Sequence, residues 1–278
     1  MVNTALHLND EPYTPRTPRV SAAIQLHRAA KRRKTGRFLI EGFNSVDAAI
    51  RAGAIVDIFV TAAAAEQFHD LLLGYLESPN ARRNSVSLID DSAARSLSET
   101  VTTTGLFAVC DTEAVSSTLE DAIAAGKAAG CLVIPVECND PGNVGTIVRM
   151  TDALGAGAVI LAGDSVDPLG SKAVRSSAGS VFHTSVARER DINTVLEKVV
   201  EAGFTTLATA MDGTLTLGVD SLPDGPVAWL FGNEAHGLSQ EVTAVANASV
   251  SIPIKGKAES LNLATAAAMC LWETVRGK

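Results

Sequence analysis

Apolar residues in this chain fall into short runs, and between the runs they return every three or four positions. In the first part of the sequence the runs 38–40, 55–60, 86–89 and 106–109 read as buried strands, and the stretches 45–52, 63–76 and 92–98 read as helices. A further helix is predicted over 20–34, where Val20, Ala23, Ile24, Leu26 and Ala30 keep close to helical spacing. Residues 1–18 show no period that could bury a face and carry Pro12, Pro15 and Pro18, which predicts a flexible arm. After an alanine-rich, charged helix over 116–130, a second series follows, with strands at 131–136, 158–161, 181–186, 205–209, 227–231 and 249–254. Helices fall between these strands, and the last helix spans 260–275. Strands alternating with helices imply an α/β fold with mostly parallel or mixed sheets covered by helices. The expected organisation is an arm (1–18), a small α/β domain (19–112) and a larger one (113–278).

Composition changes this picture little. The chain has 278 residues, enough for two cores. No uncharged apolar run approaches the roughly 18 residues that span a bilayer, and the N-terminus lacks the basic flank and apolar core of a signal peptide. A cytoplasmic protein is expected. Cys110, Cys131, Cys138 and Cys270 form no CxxC pair and have no histidine at ligand spacing, so they read as small buried hydrophobes with no metal site.

Charge matters more. The net charge of −8 argues against a polyanionic partner, but residues 1–40 hold eight Lys or Arg against two acids. Arg28, Lys31, Arg32, Arg33, Lys34 and Arg37 form a basic run, which is either a contact for the phosphates of a polyanion or an ordinary solvated helix end. With twelve aromatic residues in all, recognition by shape and phosphate fits better than base-stacking platforms.

Three segments at strand ends carry the candidate chemistry. The first, Asn139-Asp140-Pro141-Gly142-Asn143-Val144-Gly145, has turn chemistry and glycines where a strand runs into a helix, with Arg149 farther along that helix. Alone it reads better as a tight strand-to-helix connection, except that this leaves Arg149 unexplained. The second, Gly232-Asn233-Glu234-Ala235-His236-Gly237-Leu238, follows an apolar strand and is expected to face the crevice beyond the strand ends, or else to be a solvated loop. The third runs from Ile252-Pro253 to Ser260-Leu261-Asn262. Ser260 stands there as an N-cap, which leaves Asn262 without a role.

Taken together, Asp140-Pro141-x-Asn143-x-Gly145-x-x-x-Arg149, Gly232-Asn233-Glu234-x-x-Gly237-Leu238 and Ile252-Pro253 through Ser260-Leu261-Asn262 resemble the three signature motifs of SpoU (TrmH) methyltransferases of the SPOUT superfamily. Asp167-Pro168 and Ala173-Val174-Arg175-Ser176-Ser177-Ala178-Gly179 are similar to that family's intermediate pattern. The N-terminal half, with Lys34-Thr35-Gly36-Arg37-Phe38-Leu39-Ile40-Glu41-Gly42, resembles its ribosomal-protein-L30e-like substrate-binding domain. The resemblance implies a trefoil-knotted C-terminal domain, a homodimer whose site borrows from the partner, and S-adenosylmethionine-dependent 2'-O-methylation of RNA. By the same carry-over, backbone around Gly232, Ile252, Leu261 and Asn262 holds the cofactor, and Asn143, Arg149, Glu234, Ser260 and Asn262 surround the reacting centre. An L30e-like domain occurs in family members acting on 23S ribosomal RNA and points there. Competing readings are a tRNA 2'-O-methyltransferase and a non-catalytic RNA- or ribosome-binding protein that keeps the fold. A nucleotide-dependent oxidoreductase is discarded, because Gly155-Ala156-Gly157 precedes a strand instead of following one.

Overall fold

The computed structural model describes residue 6 and residues 8–82 and 85–276. The chain divides into two compact units, Met1–Val115 with Leu169–Phe182, and Ser116–Pro168 with His183–Lys278. Both are α/β.

The first unit is built on a four-stranded mixed sheet of order β1-β4-β2-β3, with β1 Arg37–Glu41, β2 Ile55–Val60, β3 Val86–Leu88 and β4 Leu106–Asp111. β4 pairs antiparallel with β1 and β2, and β3 pairs parallel with β2. The segment expected to be a flexible arm is docked from Leu8 onward. Leu6 and Leu8 lie in the core, the Asn9 side chain bonds both backbone groups of Leu88, and Tyr13 bridges Ile89. The short edge strand β3 thus has its outward backbone groups at Leu88 covered, which proline content alone does not reveal. Residues 1–5 and 7 of that arm lie outside the described residues.

The single helix expected over 20–34 is two, Pro18–Ile24 and Ala29–Thr35, joined by a 3-10 turn and broken at Arg28, whose backbone is extended. The break leaves carbonyls of the first piece without helical partners. Arg32 supplies them: its Nη1 donates to Leu26 O at 2.8 Å and His27 O at 2.9 Å. No proline or glycine marks this break, because a side chain caps it. The helix expected over 63–76 is likewise two, Ala62–Gln67 and His69–Glu77.

Leu169–Phe182 lies far along the sequence yet packs within the first unit. Val174 and Val181 join its core, and the Phe182 ring stacks on Phe38 at 5.9 Å. For that reason the strand expected at 181–186 begins only at Ser185.

The second unit holds a seven-stranded parallel sheet of order β7-β6-β5-β10-β8-β11-β9. Its strands are β5 Cys131–Pro135, β6 Ala158–Ala162, β7 Ser185–Glu189, β8 Thr205–Thr209, β9 Leu215–Thr216, β10 Val227–Phe231 and β11 Ala248–Ser251. β5, β6 and β10 are buried along their whole length, as a parallel sheet covered on both faces requires. The chain builds outward from β5 through β6 to β7 and then restarts on the other side, so the order reverses between β5 and β10. In parallel α/β sheets such a reversal opens a crevice at the carboxyl ends of the strands. Among the described residues no helix is long and apolar enough to cross a membrane.

Candidate active site

The first two motif segments emerge on either side of that reversal, one after β5 and the other after β10. Val136 N donates to Phe231 O at 2.8 Å, which extends the pairing to the point where the two loops leave the sheet. After β5 the chain turns at Glu137, which adopts the left-handed conformation with φ 51°. The Glu137 carbonyl is then free to accept the Asn233 amide at 2.7 Å, and the second loop is fastened to the first. Such strain in a residue with a full side chain persists only where surrounding bonds hold it.

The second loop is closed on itself. Asn233 and Gly237 exchange backbone hydrogen bonds at 3.1 and 2.9 Å, and Asn233 Oδ1 accepts from Ala235 N at 2.8 Å. A Cβ on Gly232 would lie 2.2 Å from the backbone of Gly237 and Leu238, so no other residue permits this closure. The loop projects Glu234 across the reversal toward the first segment. Its carboxylate accepts from Asn143 Nδ2 at 2.9 Å, from the Cys138 thiol at 3.2 Å, and from the backbone amides of Asn139 and Asp140, each at 3.3 Å.

The third segment completes the cluster. Asn262 is the N-cap of the helix Leu263–Val275, its Oδ1 accepting from Ala264 N at 3.0 Å and Thr265 N at 3.2 Å. Its Nδ2 donates to Asn143 Oδ1 at 2.9 Å. The amide orientations follow from the ends of this relay. A carboxylate can only accept, so Asn143 turns its nitrogen to Glu234 and its oxygen to Asn262; helix amides can only donate, so Asn262 turns its oxygen to them. Three segments, the first of them more than ninety residues from the other two, thereby form one polarised chain of hydrogen bonds.

The electrostatics agree. Burial pushes the Glu234 carboxyl up, but the Asn143 amide, backbone amides and the Cys138 thiol outweigh it and hold its pKa below the ordinary carboxylate value. Burial, and then the bond to Glu234, raise the Cys138 thiol well above its usual value, so it stays a protonated donor. Cys138 is the member of this cluster that the sequence did not single out, since a thiol aimed at a carboxylate looks identical in sequence to a buried hydrophobe.

The structure places the remaining expected site residues as follows. Gly232 is buried and Ile252 half-buried, and Leu261 and Ser260 are exposed on the loop before the last helix. Ser260 does not cap that helix; Asn262 does. Arg149 is exposed on the helix Pro141–Leu154. It lies six residues beyond Asn143, which at about 100° per residue turns it roughly 120° away around the axis. Within one chain, Arg149 therefore does not converge with Asn143, Glu234 and Asn262. In the first unit Arg28, Arg33, Lys34 and Arg37 are exposed and Lys31 is half-buried, while Arg32 is 6% exposed and occupied by the carbonyls of Leu26 and His27. Arg32 therefore leaves the basic surface that the sequence assigned it to, because the helix break consumes its donors.

A cofactor pocket is compatible with the strand ends. β10, β8 and β11 are adjacent and parallel, so the loops that follow them leave the sheet at one edge. Beyond β11 the chain runs irregularly to Asn262, carrying Ile254 and Leu261 39% and 37% exposed, apolar side chains suited to covering a flat ring.

Comparison with known proteins agrees with this geometry. The model of the MRM3-like substrate binding domain matches residues 17–108. The 23S rRNA (guanosine(2553)-2'-O)-methyltransferase RlmP of Bacillus subtilis (strain 168) is 29% identical over 249 residues, 89% of this chain and 92% of that protein. An AdoMet-bound rRNA methyltransferase from Sinorhizobium meliloti superposes with a TM-score of 0.81 at 27% identity, covering 96% of this chain and 98% of that one. The SpoU methyltransferase AviRb from Streptomyces viridochromogenes, in complex with AdoMet, gives 0.78 at 28% identity, covering 94% and 98%. Residues 130–272, just over half of the chain and including every strand end described above, match the SpoU rRNA methylase family, and the protein belongs to that family.

Proposed function

We propose that the protein transfers a methyl group from S-adenosylmethionine to the 2'-hydroxyl of a ribose in RNA, and that this RNA is 23S ribosomal RNA. The observation that carries the reading is the convergence of Asn143, Glu234 and Asn262 at the reversal between β5 and β10. Named 23S rRNA 2'-O-methyltransferases among its relatives, and AdoMet-bound structures among its structural neighbours, support it.

In this reading the backbone around Gly232, Ile252, Leu261 and Asn262 holds the cofactor, with Ser260 beside the reacting centre. Bound S-adenosylmethionine supplies the electrophilic methyl group. The chain's own task is to line up the ribose oxygen with it, and alignment alone is worth on the order of 7 kcal/mol in well-oriented systems. Asn143 and Asn262 each keep one amide hydrogen outside the relay to orient that oxygen. Glu234, held below the ordinary carboxylate pKa, is a weak base, and its role is to fix Asn143. Arg149, a guanidinium cation with a fork of N–H donors, stabilises developing negative charge.

Since Arg149 turns away from its own cluster, the reading includes a homodimer in which it serves the partner's site. Met269 and Trp272 on the last helix, 42% and 58% exposed, supply an apolar face for that pairing. It includes a trefoil knot in the region 113–278, consistent with Gly213, where a Cβ would lie 2.4 Å from the backbone of Ser251. It also includes an L30e-like RNA-binding domain over 19–112, with Arg28, Lys31, Arg33, Lys34 and Arg37 as phosphate contacts.

Mapping 2'-O-methyl groups on ribosomal RNA from cells with and without the gene tests the activity, with one methylated 23S position expected to disappear. An unchanged map, together with no heat of S-adenosylmethionine binding in calorimetry, would favour a non-catalytic RNA-binding protein.

A further inference from the structure

The intermediate motif Ala173 to Gly179 has no part in the cluster around Glu234. It belongs to the first unit, and there it completes a cavity of about 280 Å³, near the lower end of the roughly 300–1,000 Å³ typical of small-ligand sites. The cavity opens at the carboxyl end of β1, lined by Glu41 and by Phe43 and Asn44 of the helix Phe43–Arg51. Thr104 and the motif residues Arg175 and Ala178 close its other sides. Gly179, at φ +98°, lets the motif approach, since a Cβ there would lie 2.8 Å from the carbonyl oxygen of Asn44. Ala178 is held left-handed at φ 50°, a second sign that this approach is enforced.

The lining combines three chemistries. Phe43 is 46% exposed yet braced from behind by Phe68, the ring centroids 5.8 Å apart, so its outer face is a preformed stacking surface. Arg175 supplies a cation, its nearest partner a carbonyl of its own helix at 3.5 Å. On Glu41, Oε1 accepts from Ser98, Thr103 and Thr104, whereas among the described residues Oε2 accepts from Ser98 alone, at 2.9 Å, which leaves it able to take an N–H donor. An aromatic face, a cation and a carboxylate acceptor around one small cavity match the base, phosphate and base edge of a nucleotide. The basic run ends at Arg37, at the opposite end of β1, four residues and about 13 Å away along the strand, so this is a separate contact.

We propose that this cavity captures one unpaired nucleotide of the RNA substrate, its base stacked on Phe43 with its edge toward Glu41 and its phosphate on Arg175. The proposal rests on the RNA reading above.

The test uses the full chain and an in vitro 23S rRNA transcript, with RNA affinity measured against salt and S-adenosylmethionine affinity measured in parallel. Phe43→Ala and Phe43→Leu should each weaken RNA binding roughly tenfold, and Phe43→Trp should restore it. Arg175→Gln should make the slope of log affinity against log salt shallower by about 0.7–0.9, the signature of one lost phosphate contact. Cofactor affinity and melting temperature should stay at parental values in all four, showing that the fold is kept. RNA affinity of both Phe43→Ala and Phe43→Leu within twofold of the parent, or an unaltered salt slope in Arg175→Gln, would overturn the nucleotide site. Failure of the underlying activity reading looks different: there the parent itself binds neither S-adenosylmethionine nor the transcript.

Discussion

At the scale of single residues, the site is a problem of direction. Two asparagines have been given fixed orientations by a carboxylate at one end and helix amides at the other. Glu234→Gln places an amide opposite the Asn143 amide, so one of them must turn. Methyl transfer should fall at least tenfold while RNA affinity holds, as single-turnover assays would show. The same substitution bears on acid stability. Because folding holds the Glu234 pKa below its ordinary value, the carboxylate's contribution is complete above the usual carboxylate range and is lost as pH falls through the depressed value. Urea unfolding at a series of acidic pH values should therefore show a flatter decline in Glu234→Gln than in the parent. Gly232→Ala offers a geometric check: with backbone 2.2 Å from the new methyl, the loop must open and cofactor affinity should drop more than tenfold in calorimetry. Gly256→Ala, with open space around it, should leave that affinity unchanged. Asn143 and Glu234 could be picked from the sequence because each sits where glycine or proline marks a strand end, whereas Asn262 was picked only through the resemblance of its segment to the third family motif. Cys138 could not, since its role exists only through Glu234, 96 residues away.

At the scale of elements, caps decide what the sequence reveals. Ser260 and Asn262 are both good N-cap types two positions apart, and local pattern cannot rank them; the contact of Asn262 with Asn143 does. Asn262→Ala should cost about 1 kcal/mol of stability in chemical unfolding, within the usual range for a lost cap, and should also abolish methyl transfer. Ser260→Ala should leave the unfolding midpoint where it is. The basic helix shows the opposite case, a boundary with no sequence mark because Arg32 fills it from within. Arg32→Ala leaves the Leu26 and His27 carbonyls without this donor and should lower the melting temperature by several degrees. Reversing Lys31, Arg33 and Lys34 to Glu should leave the melting temperature within about 2 °C and weaken RNA binding steeply at low salt, as filter binding would measure. Equal loss of RNA and cofactor affinity in that triple variant would mean the helix is structural. Strand positions were the most legible feature, with β2 and β10 readable to the residue from apolar runs and β8 from a run of β-branched threonines around Leu207 and Ala208. Their order across the sheet was not, because parallel pairing is decided by crossovers that leave no periodic trace.

For the whole molecule, the sequence made the two α/β halves visible but not the path between them. Nothing in the local pattern of Leu169–Phe182 says that Val174, Val181 and Phe182 will pack on β1, since their partners lie more than a hundred residues earlier. Placing this segment in the first unit has a temporal side. During synthesis, Met1–Val115 leaves the ribosome without the piece that finishes its interior, and the whole of Ser116–Pro168 must be made before that piece follows. At roughly 5–20 residues per second this is a wait of several seconds. Throughout that interval the nascent first unit keeps an uncovered apolar patch around Phe38, so its completion is bound to the translation of the second.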